Sequence, residues 1–173
     1  SRRKPAFLFW VHELMANMDT SGSVLDPQLE ALRVPPHSIE AEQSVLGGLL
    51  LDNAAFDRVT DLLGDDDFYR YDHRLIWQHI TRLISLARPA DVVTVHESLA
   101  SAGKAEELGG LSYLNALAHN TPSAANIRRY AEIVRERSML RKLVSVADEI
   151  SSAAFSPQGK EARQLLDEAE ARV

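Results

Sequence analysis

The stretch Ser123–Phe155 limits most tightly what this chain can fold into, because it is the longest segment with one unbroken period and holds neither Pro nor Gly. Ile127, Tyr130, Ala131, Val134, Leu140, Leu143, Val144, Ala147, Ile150 and Ala154 recur at steps of three and four, the spacing of one helix face. Ser123 can accept from the free N–H groups of a first turn, while Thr121-Pro122 and Ser156-Pro157 bound the stretch at its two ends. About thirty residues at a 1.5 Å rise span roughly 45 Å, more than the width of a domain this size. Such a helix crosses the core or projects beyond it.

A second amphipathic run follows the Pro/Gly break: Ala162, Leu165, Leu166, Ala169 and Val173. Together the two predict an αα-hairpin. A projecting hairpin cannot bury its own apolar seam, so it calls for a partner surface, most simply a second copy. The residues expected on or near that oligomer seam are Ile150, Leu165, Leu166 and Ala169.

The 173 residues fit one domain, or one domain with an arm, and 45% apolar content is enough for a core. Nineteen Lys and Arg against 25 Asp and Glu give a net charge of −6, which argues against a domain built to coat nucleic acid. The absence of Cys excludes a disulfide framework and thiol chemistry and suits a reducing cytoplasm. No apolar run approaches the roughly 20 residues of a membrane span, so no membrane association is expected.

Residues 1–20 stand apart. Arg2-Arg3-Lys4 precedes the apolar Ala6–Val11, which His12-Glu13 ends; the run is short for a signal peptide and no small-residue cleavage site follows. The preferred reading is an appended or fused peptide ahead of a natural start at Met15 or Met18, with a native extension as the alternative. Were residues 5–16 helical, Phe7, Leu8, Trp10, Val11 and Leu14 would form an apolar stripe in need of a groove. Residues 21–34 read as a flexible lead-in, 35–122 as a helical globule, and 123–173 as the hairpin.

Within the globule, Ser38 is placed to cap a helix with Glu40 and Glu42 in its first turn and an apolar face of Ile39, Leu46, Leu49 and Leu50. Gly47-Gly48 in mid-helix costs ~1 kcal/mol per Gly relative to Ala, which predicts close approach of another backbone. Further helices are expected over Ala54–Leu63, Asp72–Ala87 (with Trp77 at its edge), Asp91–Ala100 and Leu111–His119. The β-branched Val92-Val93-Thr94-Val95 leaves a short strand as the alternative for the third of these, but Asp91 can cap a helix there. Asp65-Asp66-Asp67 reads as a solvated loop, since the spaced ligands of a calcium loop are missing.

Motifs for catalysis are missing. There is no G-x-x-x-x-G-K-[ST] phosphate cradle, no G-x-G-x-x-G and no H-E-x-x-H, and the histidines do not cluster in sequence. No catalytic residue, metal ligand or cofactor is therefore expected in this chain. Arg128, Arg129, Arg135, Arg137, Arg141 and Lys142 form a basic tract that reads as a solvated face with ion pairs along the helix, or, less favoured, as a stripe tracking phosphates.

Pro35-Pro36-His37-Ser38-Ile39-Glu40-Ala41-Glu42-Gln43-Ser44-Val45-Leu46-Gly47-Gly48 closely resembles the opening of bacterial DnaB-type replicative helicases. The likeness continues through Asp67-Phe68-Tyr69, Gly109–Leu114, Asn120–Ile127 and Ile133–Arg137, and ends at Leu166–Glu170, covering residues 32–173 in order. It implies an all-α fold, a compact globule of about six helices with a projecting hairpin, serving as the N-terminal domain of a hexameric, ATP-driven 5′→3′ DNA helicase. The resemblance further implies pairing through hairpins, three pairs forming a collar, docking of primase and a helicase loader as a further candidate partner. It places the activity in the cytoplasm, at the nucleoid. ATP and Mg would belong to a motor domain that this chain lacks, so no catalytic residue carries over.

Primase docking is expected at the loop Lys104–Gly110 and the start of the next helix. Glu106 and Glu107 sit on a loop between glycines, and Tyr113 is the type of anchor that keeps one wet edge. The plainer reading packs Tyr113 on Leu117. The competing functions are a helical DNA-binding domain, which lacks a tight helix-turn-helix with a basic second helix, and a small enzyme, which a buried carboxylate–His pair would favour.

Overall fold

The structure, a computed structural model, describes residues 33–172. The unit described below is Pro36–Val173. The expectations for residues 1–20, including the apolar stripe, and for nearly all of the lead-in lie outside the described residues.

The described chain is all helical, as expected: α1 (Ile39–Leu51), α2 (Tyr71–Ser85), α3 (Val92–Ser101), α4 (Gly110–Asn120), α5 (Ile127–Phe155) and α6 (Ala162–Arg172), with three short 3-10 helices between them. α1 is the centre, packed against α2, α4 and α5. Ser38 caps it by accepting from the Ala41 N–H at 3.3 Å. The expected one-sided apolar face is corrected: Val45 through Leu50 are all buried, so this half of α1 is enclosed on every side. Gly47 makes that possible. A Cβ there would run into Thr121 Oγ1 and the Leu117 carbonyl, so the missing side chain is what lets α4 lie against α1.

Three local readings change. The helix expected over Ala54–Leu63 is a 3-10 helix, Asn53–Arg58, followed by turns. Asn53 is the physical reason. Its side chain donates to the carbonyls of Leu49 and Ala90 and accepts from the Ala90 N–H, all at 2.8–2.9 Å, which draws the segment toward a distant loop and away from a helical ladder. Trp77 is buried, not at an edge, because Phe68 and Phe56 close over it at 5.2 and 5.9 Å between ring centroids. Ser123 caps a 3-10 turn, Ala124–Asn126, and α5 begins at Ile127. The strand alternative at Val92 is settled by the cap. Asp91 accepts from the Thr94 N–H and Thr94 Oγ1 accepts from the Asp91 N–H, both at 2.9 Å, which outweighs the β-branched run.

α5 is 29 residues long, roughly 44 Å. Its first turns are core: Ile127, Ala131, Val134 and Ser138 are buried. Beyond Ser138 it leaves the globule, and Met139, Leu140, Leu143 and Val144 are exposed. α6 packs back along it, tied by Arg172–Glu149 at 3.3 Å.

The acidic loop is not simply solvated. Asp67 is buried, and its carboxylate accepts from Ser138 Oγ at 2.6 Å, Gly64 N–H at 2.9 Å and Arg135 Nη1 at 2.9 Å. Arg141 donates to the Asp67 and Pro36 carbonyls at 2.6 and 2.7 Å. These bonds clasp α5 where it exits. Burial pushes the Asp67 carboxyl up, but the Ser138, Gly64 and Arg135 contacts outweigh it and hold the group below its ordinary 3.8. A carboxyl lowered by folding stabilises fully above its unfolded value and loses that contribution as pH falls through the folded one. Melting temperature should therefore drop below about pH 4, and the drop should be shallower in Asp67→Asn, itself less stable at neutral pH. Parallel thermal scans from pH 7 to pH 2.5 check this; equal slopes would remove Asp67 as a cause.

Candidate functional site

Three helices bring together groups far apart in sequence. Glu42 on α1, His73 on α2 and Tyr113 on α4 form one hydrogen-bonded line. Glu42 Oε2 lies 2.6 Å from His73 Nδ1, and His73 Nε2 lies 2.8 Å from Tyr113 Oη. Glu42 also accepts the Tyr69 N–H at 2.6 Å. Glu42 and His73 are fully enclosed; Tyr113 is half-buried and carries the line to the surface, where Gln43 Nε2 reaches its oxygen at 3.4 Å and Arg70 lies over its ring at 5.7 Å. A neutral imidazole with its proton on Nδ1 satisfies every member: Glu42 accepts from it, and Nε2 accepts the phenolic proton.

This is the buried carboxylate–His pair that would favour an enzyme, but its chemistry points elsewhere. Both ring nitrogens are occupied, and no atom of the imidazole reaches solvent. A general base needs a free lone pair within reach of a substrate proton. What the line does is fix the tyrosine ring.

The expected docking residues surround that ring. Gly109, at φ 85°, starts α4 in the left-handed region, and a Cβ there would sit 3.0 Å from Tyr113 Cβ. Glu106 and Glu107 are exposed on the preceding loop, and Glu107 pairs with Lys104 at 2.9 Å. Tyr71, also exposed, belongs to the same surface through its interaction with Lys104. Arg70 is held by Asp72, and that hydrogen bond raises the guanidinium pKa further. Of the expected seam residues, Ile150, Leu165 and Ala169 are half-buried in the hairpin, whereas Leu166 is 65% exposed.

Five of the six residues of the basic tract are engaged by the protein itself, though seldom along the helix as expected, and Arg137 is exposed without a partner among the described residues. Arg128 bonds Asp61 and the Arg58 carbonyl, Arg135 bonds Asp67, Lys142 lies 3.9 Å from Asp67, and Arg141 bonds two carbonyls; only Arg128 and Arg129 also face Glu132 within α5. Among the described residues no group of three or more His, Cys, Asp or Glu is arranged to hold a metal ion, and no helix is long and apolar enough to cross a membrane.

The family described as DnaB-like helicase N terminal domain matches residues 34–136. The chain belongs to that family. Relatives among replicative DNA helicases named DnaB are 44% identical over 149 residues in Buchnera aphidicola subsp. Baizongia pistaciae and 43% identical over 148 residues in Haemophilus influenzae. Each alignment covers 86% of this chain and 32% of the relative, so the chain spans about a third of their length. The crystal structure of the N-terminal domain of DnaB helicase from Mycobacterium tuberculosis superposes with a TM-score of 0.76 at 37% identity, covering 80% of this chain and 98% of that one. A DnaB-like replicative helicase, described together with its interactions with primase, gives a TM-score of 0.60 at 27% identity over 76% of this chain and 31% of that one. This chain is therefore a DnaB N-terminal domain of the replicative-helicase type, and its all-α fold is that of the family.

Proposed function

We propose that this domain is the non-catalytic collar of a hexameric replicative DNA helicase, acting in assembly and in docking of primase. The observation that carries the assembly reading is the exposed apolar strip on α5. Met139, Leu140, Leu143 and Val144 lie along the helix beyond the globule, with Leu166 on α6 and Phe155, 88% exposed, at the tip. A patch of this kind rarely stays open in a monomer, and its placement on a hairpin suits a self-complementary contact between two copies. In this reading dimers join into a trimer of dimers. ATP and Mg2+ bind in a motor domain, a helicase loader is a further partner, and the work takes place in the cytoplasm at the nucleoid, with weak or no direct grip on nucleic acid. The engagement of Arg128, Arg135, Arg141 and Lys142 by Asp61, Asp67 and backbone carbonyls supports the last point over a DNA-binding domain.

The test is solution mass by light scattering. The chain should run as dimers or larger, and Leu166→Glu should shift it toward monomer without lowering helix content. A wild type that stays monomeric at high micromolar concentration overturns the reading.

Primase docking is proposed at Glu106, Glu107 and Tyr113. The support is that the two carboxylates are free of the core, the ring is half-exposed and fixed from behind, and a relative's structure was described with primase interactions. Tyr113→Ala would also open the buried hydrogen-bonded line, so the clean variant is Glu106→Ala/Glu107→Ala. It should weaken binding of a primase C-terminal domain by more than ~1 kcal/mol in calorimetry, with an unchanged melt. Equal affinities would place the anchor elsewhere.

A further inference from the structure

An open groove lies between α2 and α3, away from the hairpin and the Tyr113 surface. It has a volume of about 670 Å³. Its floor is Leu83, and Leu86 and Val93 stand at its mouth, 55% and 63% exposed. A hydrogen bond of 2.7 Å between His79 Nδ1 and Ser98 Oγ ties the two walls together. The turn at its end is fixed as well. Ala87 N–H donates to the Ile84 carbonyl and Arg88 N–H to the Leu83 carbonyl, both at 2.9 Å, with Ala87 left-handed at φ 54°. That pattern closes a helix C-terminus with a rigid turn, so Leu86 and Arg88 are held on the surface in a set geometry.

The charges of this groove run against those of the domain. The molecule carries −6, yet Arg82 and Arg88 line the groove and neither guanidinium has an ion pair or side-chain hydrogen bond among the described residues. Most other arginines of the globule are tied down, as Arg70, Arg128, Arg135 and Arg141 are. The lining holds one carboxylate, Glu97 on the α3 wall. Burial, and then Arg82, lower the His79 pKa below its usual 6.5, so at neutral pH the imidazole adds no charge to the two guanidiniums.

We infer that the α2–α3 groove docks an acidic amphipathic helix of a partner protein. Exposed Leu86 and Val93 call for apolar side chains, and the two unpaired guanidiniums call for carboxylates beside them. From Val93 to Ser101 the α3 wall rises about 12 Å, two helical turns. An occupant with apolar residues at i, i+4 and i+7 fills that length, the mode by which helices bind grooves. Carboxylates on its flank then meet Arg82 and Arg88 in a partly desolvated setting, where such pairs set partner choice and orientation.

The probe is a display library of 12-residue helical peptides with leucine fixed at the first, fifth and eighth positions and all others randomised, selected on the full 173-residue chain. Enriched peptides should carry carboxylates flanking the leucine stripe. They should bind Leu86→Ser/Val93→Ser and Arg82→Glu/Arg88→Glu at least about tenfold more weakly, and lysine in place of the peptide carboxylates should restore binding to the second variant. All four positions are exposed, and thermal melts confirm that both variants stay folded. Neutral or basic flanks, no enrichment, or affinity indifferent to the variants overturns the inference. So does a fall in solution mass of Leu86→Ser/Val93→Ser, which would show a second copy in the groove.

Discussion

Gly47→Ala should destabilise the domain by about 2 kcal/mol, although alanine is the better helix former by ~1 kcal/mol. Two effects of opposite sign compete. The propensity gain is fixed by backbone entropy. Against it, the new Cβ meets the Leu117 carbonyl, which is backbone and cannot rotate away, as well as Thr121 Oγ1. The Thr121 hydroxyl already donates to that same carbonyl at 2.7 Å. α4 must therefore shift as a unit, and overpacking of this kind costs typically ~1–3 kcal/mol, occasionally more. The neighbouring Gly48→Ala is the internal control. Its Cβ would lie 3.1 Å from Ile127 Cδ1, the free end of a side chain, so its effect should be within about 1 kcal/mol of zero. Urea unfolding of the two variants separates the cases. Similar midpoints would mean that the α1–α4 approach is not as tight as its geometry.

His73→Leu should cost about 3 kcal/mol, because it leaves the buried Glu42 carboxylate without its 2.6 Å partner, and a buried group stripped of its partner costs ~1–3 kcal/mol, more when charged. Leucine supplies volume but neither donor nor acceptor. Glu42 would keep the Tyr69 N–H but lose its 2.6 Å partner, and Tyr113 would lose the acceptor of its proton. Tyr113→Phe removes the bond to His73 and the longer one from Gln43 while keeping the ring, and should cost ~1 kcal/mol. Chemical denaturation at neutral pH checks both values, and primase titration separates fold from docking. If His73 positions the ring, His73→Leu weakens binding in proportion to the disorder of Tyr113, which relaxation measurements on α4 report.

The buried line was legible in the sequence, in a pattern that the usual search for motifs passes over. Glu42 stands where Val45, Leu46 and Leu49 follow at three, four and seven residues. His73 stands in the same relation to Ile76, Trp77 and Ile80. A polar residue at the head of an apolar stripe faces the core and must find a partner there. What no spacing reveals is which two such residues meet, since they are 31 positions apart and joined only by the crossing of α1 and α2. Helix existence followed from period and caps, because both are local. The 3-10 segment at Asn53 escaped because its cause is Ala90, a tertiary contact. The enclosure of α1 was half legible: Gly47-Gly48 signals the close approach of another backbone, which α4 makes at Gly47, but glycines carry no hydrophobic signal to show that the face they occupy is buried. Asp67 looks solvent-facing in the sequence because Ser138 and Arg135, which cover it, lie some 70 positions later.

The clasp at Asp67 makes α5 a cantilever. From Arg141, which grips the Asp67 and Pro36 carbonyls, the helix runs on for about 21 Å to Phe155. A rod fixed at one end delivers a sideways load on its tip as torque at the fixture, and there the hydrogen bonds of the Asp67 corner add direction to the apolar packing of Ile127, Ala131 and Val134. Whatever pulls on the hairpin turns the globule with it. The Asp67 corner is where such a load passes from the arm to the body.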